Sequence, residues 1–180
     1  KDDLAISIIR NKINKTLLEL KASFSTYRMS EATMTLYKLI WDDFCSIYLE
    51  QIKPGFEEPI AKSTYEATVT IFEDLMKMLH PFMPFITEEI YSQLAERKEG
   101  DYIMISSYPS AGKVRKSITE EALFFEEVIT GIRNLRIANK IPGKEKITLN
   151  VKAKNEAIYS KFESIIIKTA GVSEINFVTT

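Results

Sequence analysis

Residues 31–53 would form a helix that is apolar around nearly its whole circumference. Such a helix cannot leave one face in water, so it has to lie inside a bundle with neighbours on several sides. Pro54-Gly55 marks its end, since proline cannot continue a helix and glycine commonly follows one. We expect Trp41, Phe44 and Tyr48, spaced by three and four residues, to lie in the core. The apolar set comprises Leu36, Tyr37, Leu39, Ile40, Trp41, Phe44, Cys45, Ile47, Tyr48, Leu49 and Ile52.

Four further segments repeat apolar residues at intervals of three to five, which is the spacing of one buried helical stripe. They cover approximately residues 3–27, 59–79, 85–97 and 117–139. Each stripe buries one face and leaves the opposite face for polar side chains. Together with the apolar segment, these stripes predict about five helices.

The C-terminal tail changes its period. Residues 147–153 alternate apolar and polar side chains, which predicts a strand. A helical stripe over 156–169 and a second short strand over 174–178 follow, and so small a sheet does not stand alone. We therefore predict a mainly α fold, with a helical bundle over residues 1–141. A small β-α-β appendage over residues 142–180 is expected to pack on it.

The net charge of −1 hides a segregation of charge along the chain. Residues 10–28 hold five bases against one acid, or +4, and residues 133–154 hold seven against one, or +6. Residues 42–101 hold thirteen acids against five bases, or −8. The two basic segments would form one positive surface if folding brings them together. Solvation of helix faces explains the same charges without any partner.

Residue types that carry chemistry are scarce. Cys45 is the single cysteine, which excludes an intramolecular disulfide and a cysteine-based zinc site and suits a reducing cytoplasm. His80, the single histidine, lies in a proline-rich corner without a metal-ligand motif around it. The six glycines are scattered, and no apolar run approaches the ~20 residues of a membrane span. We predict no catalytic residue, no metal site and no membrane segment.

Specific motifs occur in a fixed order along the chain. They are IIRNKINKT at 8–16, YRMSEA at 27–32, WDDFCSIYLEQIKP at 41–54, LHPFMPFITEE at 79–89 and IRNLR at 132–136. This series resembles the anticodon-binding domain of valyl-tRNA synthetases, which are class Ia aminoacyl-tRNA synthetases. The His-Pro corner is shared with isoleucyl and leucyl relatives, whereas the FC-x-x-YLE-x-x-KP run is closer to the valyl enzymes. Gly143 stands where the family commonly has a second proline after Pro142.

The resemblance implies a function for the parent enzyme, which uses ATP to attach valine to its tRNA in the cytoplasm, as a monomer. We expect this chain to be a non-catalytic fragment that lacks the catalytic and editing domains, with ATP bound in the former and no cofactor in this part. Its expected partner is the anticodon stem-loop of valine-specific tRNA. Two alternatives are the equivalent domain of an isoleucyl-tRNA synthetase and a helical protein-interaction module that does not bind RNA.

The resemblance also implies where RNA binds, because the opening helix of class Ia relatives contributes to the anticodon site. On that basis we expect RNA contacts from Arg10, Asn11, Asn14, Lys15 and, at the adjacent turn, Arg28. Charge and position, rather than a mapped family site, add candidates for backbone contacts. These are Arg133, Arg136, Lys140, Lys144 and Lys146.

Each assignment has a structural alternative. Asn14 would equally satisfy a backbone group inside the protein. Arg133 and Arg136 lie three apart on one helical face, where they would equally pair with the acids of Asp42-Asp43.

Overall fold

A computed structural model describes residues 2–55, 57–143, 145–152 and 156–178 of the chain. The chain divides into two compact units, one over Asp2–Arg115 and one over Lys116–Thr180. Among the described residues, every helix is too short or too polar to pass through a bilayer. The mainly helical fold predicted from the sequence is confirmed.

The first unit contains the helices whose stripes the sequence predicts. Their buried faces meet around side chains that are at most 1% exposed, among them Leu20, Leu36, Tyr48 and Leu75. The elements are α1 (Asp2–Ser25), α2 (Met29–Lys38), a π-helical segment (Leu39–Tyr48), α3 (Leu49–Ile52), α4 (Lys62–Leu79), α5 (Pro84–Leu94) and a 3-10 turn (Ile103–Ile105).

The continuous helix formed by α2, the π-helical segment and α3 buries one side only. Phe44 and Tyr48 are 3% and 1% exposed, which confirms their prediction as core residues. Trp41 is 59% exposed and stacks on Tyr37, with ring centroids 6.3 Å apart. The predictions that Trp41 is buried and that this helix is enclosed on all sides are therefore wrong.

The π-helical turns explain the exposure of Trp41. The backbone N–H of Leu49 bonds to the carbonyl of Phe44, five residues back. The hydroxyl of Ser46 likewise donates to the carbonyl of Trp41, at 2.8 Å. A helix that closes its turns over five residues instead of four shifts the register of its faces. Leu39 and Phe44, five residues apart, consequently share the buried side.

A stiff corner joins α4 to α5. Pro84 begins α5, where its fixed φ suits the first turn of a helix. The buried hydroxyl of Thr87 donates to the carbonyl of Met83 at 2.8 Å and therefore accepts from Nδ1 of His80, also at 2.8 Å. His80 thus serves to fix the angle between two helices.

A cluster of charges ties α4 to the segment that follows α5. The carboxylate of Glu73 accepts hydrogen bonds from Lys77 and from Arg97, each at 2.8 Å. The guanidinium of Arg97 also lies 3.7 Å from the ring centre of Tyr91, whose hydroxyl donates to Asp101 at 3.2 Å. Burial would raise the pKa of Glu73, but the hydrogen bonds and positive charges of Lys77 and Arg97 outweigh it and lower that pKa.

The second unit combines the last long helix with the β-α-β tail. Its elements are α6 (Lys116–Ala138), β1 (Ile147–Val151), α7 (Glu156–Ala170) and β2 (Val172–Phe177). The two strands are parallel, with Leu149 opposite Ile175. Helices α6 and α7 meet through Phe125 and Phe162, whose ring centroids are 5.3 Å apart.

This packing assigns α6 to the C-terminal unit, so the chain divides at residue 115, whereas the sequence suggested residue 141. The strand predicted over 147–153 ends at Val151, and Ala153 lies outside the described residues. The second strand begins two residues earlier than predicted, at Val172. Packing of the appendage on the bundle stays a prediction.

Candidate nucleic-acid interface

Three of the basic residues predicted on and after α1 are exposed. Arg10 and Lys15 point outward from the helix, and Arg28 lies at the turn that follows it. Lys15 is 3.7 Å from Glu19, and Arg28 is 3.4 Å from Glu31. Exposed ion pairs of this kind contribute only about 0–1 kcal/mol, so they do not compete strongly with a phosphate. These cations are therefore available to a polyanion.

The two asparagines of α1 bind the segment before α6 instead of facing solvent. Asn11 is 6% exposed; its Oδ1 accepts from the backbone N–H of Arg115 at 2.7 Å, and its Nδ2 donates to the Arg115 carbonyl at 3.3 Å. Oδ1 of Asn14 accepts from the backbone N–H of Gly112 at 2.8 Å. The structure corrects the assignment of Asn11 to RNA, because its amide is buried and both of its polar atoms are engaged. For Asn14 it supports the alternative, a backbone group satisfied inside the protein.

Arg136 is a structural residue of the second unit. It is 7% exposed, and its Nη2 donates to the carbonyls of Pro142 at 2.5 Å and Glu145 at 2.6 Å. Its Nη1 lies 3.4 Å from the carbonyl of Gly171 and 3.5 Å from that of Ala170. The guanidinium thereby closes the loop after α6 onto the end of α7. Its assignment to RNA backbone contacts is corrected, because burial keeps it from a phosphate.

The other candidates of the second basic segment are exposed. Arg133 lies on α6, Lys140 just beyond its end and Lys146 directly before β1. Lys140 has a φ of 55°, the left-handed conformation that ends many helices. Lys144 and Lys154 lie outside the described residues.

One of the two acids proposed as partners for Arg133 and Arg136 has its own contact in the first unit. Asp43 forms an ion pair with Lys12 of α1, and both side chains are largely buried. Lys12 is thus a further basic residue of the first segment whose charge is used within the fold. The prediction that the two basic segments form one positive surface stays a prediction.

Sequence reasoning missed two basic residues beside α1. Lys113 and Arg115 are exposed, and the hydrogen bonds of Asn11 and Asn14 hold their segment against the helix. The sequence signal was a short run in which residues 113, 115 and 116 are all basic. This run lies outside both basic segments, and no local sequence pattern indicates that it lies beside α1.

The residue types that carry most chemistry are engaged in packing. Cys45 is partly buried, and burial raises the pKa of its thiol, which disfavours the reactive thiolate. Within the part of the chain that the structure describes, no three His, Cys, Asp or Glu side chains are grouped to hold a metal ion.

The first unit thus presents exposed cations on and after its long helix α1. Residues 7–153 match the family model described as the anticodon-binding domain of tRNA ligase. The chain therefore belongs to this family of RNA-binding domains.

Within that family the similar proteins are valine–tRNA ligases. The chain is 40% identical to the enzyme of Parabacteroides distasonis over 96% of its own length, and 41% identical to that of Phocaeicola vulgatus over 97%. The enzyme of Bacillus cereus is 31% identical over 95%. The chain spans about a fifth of the length of these relatives, 20% in each case. The resemblance of its motifs to the anticodon-binding domains of valyl-tRNA synthetases is confirmed.

Proposed function

We propose that this chain is the tRNA-binding, anticodon-region domain of a valine–tRNA ligase. The observation that carries the proposal is the similarity to valine–tRNA ligases along 95–98% of the chain. The exposed cations of both units support it, because phosphate contacts supply most of the affinity for a nucleic acid. In this proposal the domain positions tRNA and takes no part in the chemistry.

The parent enzyme would attach valine to its tRNA with ATP, in domains that this chain does not include. We propose that the enzyme acts in the cytoplasm as a monomer. The proposed ligand is the anticodon stem-loop of valine tRNA, whose loop bases can be splayed out and contacted on their edges.

Salt dependence of binding tests the RNA-binding function. Six of the cations predicted from the sequence remain exposed: Arg10, Lys15, Arg28, Arg133, Lys140 and Lys146. If each neutralises one phosphate, the logarithm of the association constant should fall against the logarithm of salt concentration with a slope of about −4 to −5. Fluorescence anisotropy of a labelled valine anticodon stem-loop, titrated at several salt concentrations, measures this slope.

The specificity of binding is a separate measurement. The valine stem-loop should bind more tightly than an isoleucine stem-loop of equal length, since side chains that reach base edges supply identity. Equal affinity for both loops would contradict valine specificity and leave general tRNA binding. Undetectable binding of either loop at low salt would contradict the RNA-binding function and favour a protein-interaction module.

A further inference from the structure

The segment 112–115 runs alongside α1 and carries its own positive charges there. Arg115 is anchored through both of its backbone polar groups to Asn11, and Gly112 through its N–H to Asn14. The exposed side chain of Arg115 thus comes from a backbone that is held directly on α1. Lys113, also exposed, is the next residue after Gly112.

The anchoring asparagines have cationic neighbours of their own. Arg10 directly precedes Asn11, and Lys15 directly follows Asn14. Four exposed cations are therefore each adjacent to, or part of, one of the two anchor points. We name this set, Arg10, Lys15, Lys113 and Arg115, the α1 strip.

The two helix cations of the α1 strip lie on either side of the anchoring asparagines. Residues 10 and 15 are separated along the helix axis by about 7.5 Å, at 1.5 Å per residue. At about 100° per residue they also lie about 140° apart around the axis, with Asn11 and Asn14 between them. Lys15 of the strip lies 3.7 Å from Glu19, and both side chains of this pair are exposed.

We propose that the α1 strip is a binding site for the phosphodiester backbone of tRNA, and that Asn11 and Asn14 are positioning residues for it. The inference rests on the proposed function and names residues that the family-based assignment did not contain, Lys113 and Arg115. The asparagines act by holding the loop cations beside the helix cations.

The anchor at Gly112 offers a test that removes no charge. A Cβ added at Gly112 would lie 3.2 Å from both Nδ2 and Oδ1 of Asn14, closer than ordinary van der Waals contact. Gly112→Ala should therefore push the segment away from α1 while all four cations are retained. Asn14→Ala removes the same anchor from the helix side.

The experiment compares variants of this chain for binding to the valine anticodon stem-loop over a range of salt. In Lys113→Ala/Arg115→Ala, the salt slope should become shallower by about 1.4–1.8, since each lost contact accounts for about 0.7–0.9. The matched control is Lys62→Ala/Lys98→Ala, which removes the same charge from exposed positions elsewhere in the first unit and should leave the slope unchanged. Gly112→Ala and Asn14→Ala should each weaken binding several-fold at low salt, and circular dichroism should show unchanged helix content.

The outcomes separate the α1 strip from the proposed function. Tight, salt-dependent binding by the unmodified chain with the same slope in Lys113→Ala/Arg115→Ala would overturn the strip and leave tRNA binding standing. An equal loss of slope in the control pair would also overturn it, because the effect would then be one of net charge. Undetectable binding by the unmodified chain would overturn both. If Lys113→Ala/Arg115→Ala weakened binding but Gly112→Ala and Asn14→Ala left it unaltered, the positioning role of the asparagines would be overturned.

Discussion

Helices α1 and α6 each hold an irregular segment through side-chain bonds to its backbone, but they use different side chains. On α1 the holding groups are the neutral amides of Asn11 and Asn14. On α6 the holding group is the guanidinium of Arg136, which reaches carbonyls in the loop before β1 and at the end of α7. Both arrangements satisfy backbone groups that would otherwise be left without partners.

The difference decides what remains for a ligand. A neutral amide leaves the charges around it exposed, as Arg10 and Lys15 are. The charged group of Arg136 instead donates hydrogen bonds inside the fold, and burial keeps it from the surface. The number of basic residues in a segment therefore overstates its positive surface charge wherever one of them, like Arg136, is buried and donates hydrogen bonds within the fold.

The largest effect is expected from replacing Arg136. Arg136→Met should destabilise the second unit by about 3–5 kcal/mol, because the carbonyls of Pro142, Glu145 and Gly171 lose charged donors at a part-buried site. Arg136→Lys should restore little, because a point charge cannot reproduce the fork of the guanidinium. Urea unfolding, combined with hydrogen exchange of the β1 and β2 amides, measures the loss.

Arg133→Met is the matched control, one turn away on the same helix and exposed. It should change stability by no more than about 0.5 kcal/mol. Equal stability of the Arg133 and Arg136 variants would contradict this prediction, since it would show that the buried guanidinium is dispensable.

A second arginine, Arg97, differs from Arg136 in the pH dependence expected of its contacts. Arg97 donates to the carboxylate of Glu73, a titratable partner, whereas the carbonyl partners of Arg136 do not titrate. Glu73→Gln should cost about 2 kcal/mol at neutral pH, because Lys77 and Arg97 lose their counter-charge at a site that is 23% exposed. The measurement is the free energy of unfolding in urea.

The sign of the pH effect follows from the lowered pKa of Glu73. Its stabilisation is fully present above its ordinary pKa, near 4.3, and is lost as pH falls through the lower pKa of the folded state. The unmodified chain and Glu73→Gln should therefore converge in stability as pH falls through the folded-state pKa of Glu73. Burial raises the pKa of Asp74, which acts in the opposite direction but is retained in both proteins. A difference that does not change with pH would contradict the role of Glu73.

The asparagines of α1 should rank by burial. Asn11→Ala should cost about 1.5 kcal/mol, because it removes two hydrogen bonds at a buried position. Asn14→Ala removes one bond to an exposed backbone group and should cost about 0.5–1 kcal/mol. Thermal unfolding of the two variants, side by side, gives the order. The reverse order would mean that the anchor at Gly112 is the principal one.

Much of the fold could be predicted because its signals are local. Stripes at helical spacing predicted α1, α4, α5 and α6, and alternation predicted β1. The site was less predictable because its contacts are long-range. The bond between Asn11 and Arg115 joins residues 104 apart in sequence, and no local pattern at either end indicates the other.

Arg136 was misassigned for a related reason. Its spacing from Arg133 resembles that of an exposed charged face, but the loop after α6 and the return of the chain at Gly171 bury it. Trp41 was misassigned because a period of 3.6 residues was assumed where the helix is π-helical. The buried face there follows steps of five and four, from Leu39 to Phe44 to Tyr48.

A small effect, comparable with that of Asn14→Ala, is expected at Trp41. Trp41→Ala should cost about 0.5–1 kcal/mol, the value of an exposed stacking contact with Tyr37. As the single tryptophan, Trp41 can be followed by fluorescence, and acrylamide should quench its emission almost as well in the folded chain as in urea. A loss of about 3 kcal/mol or more, as for a large side chain removed from a core, would contradict the π-helical register. Strong protection from acrylamide would contradict it as well, because a helix of ordinary pitch would turn this indole inward beside Phe44.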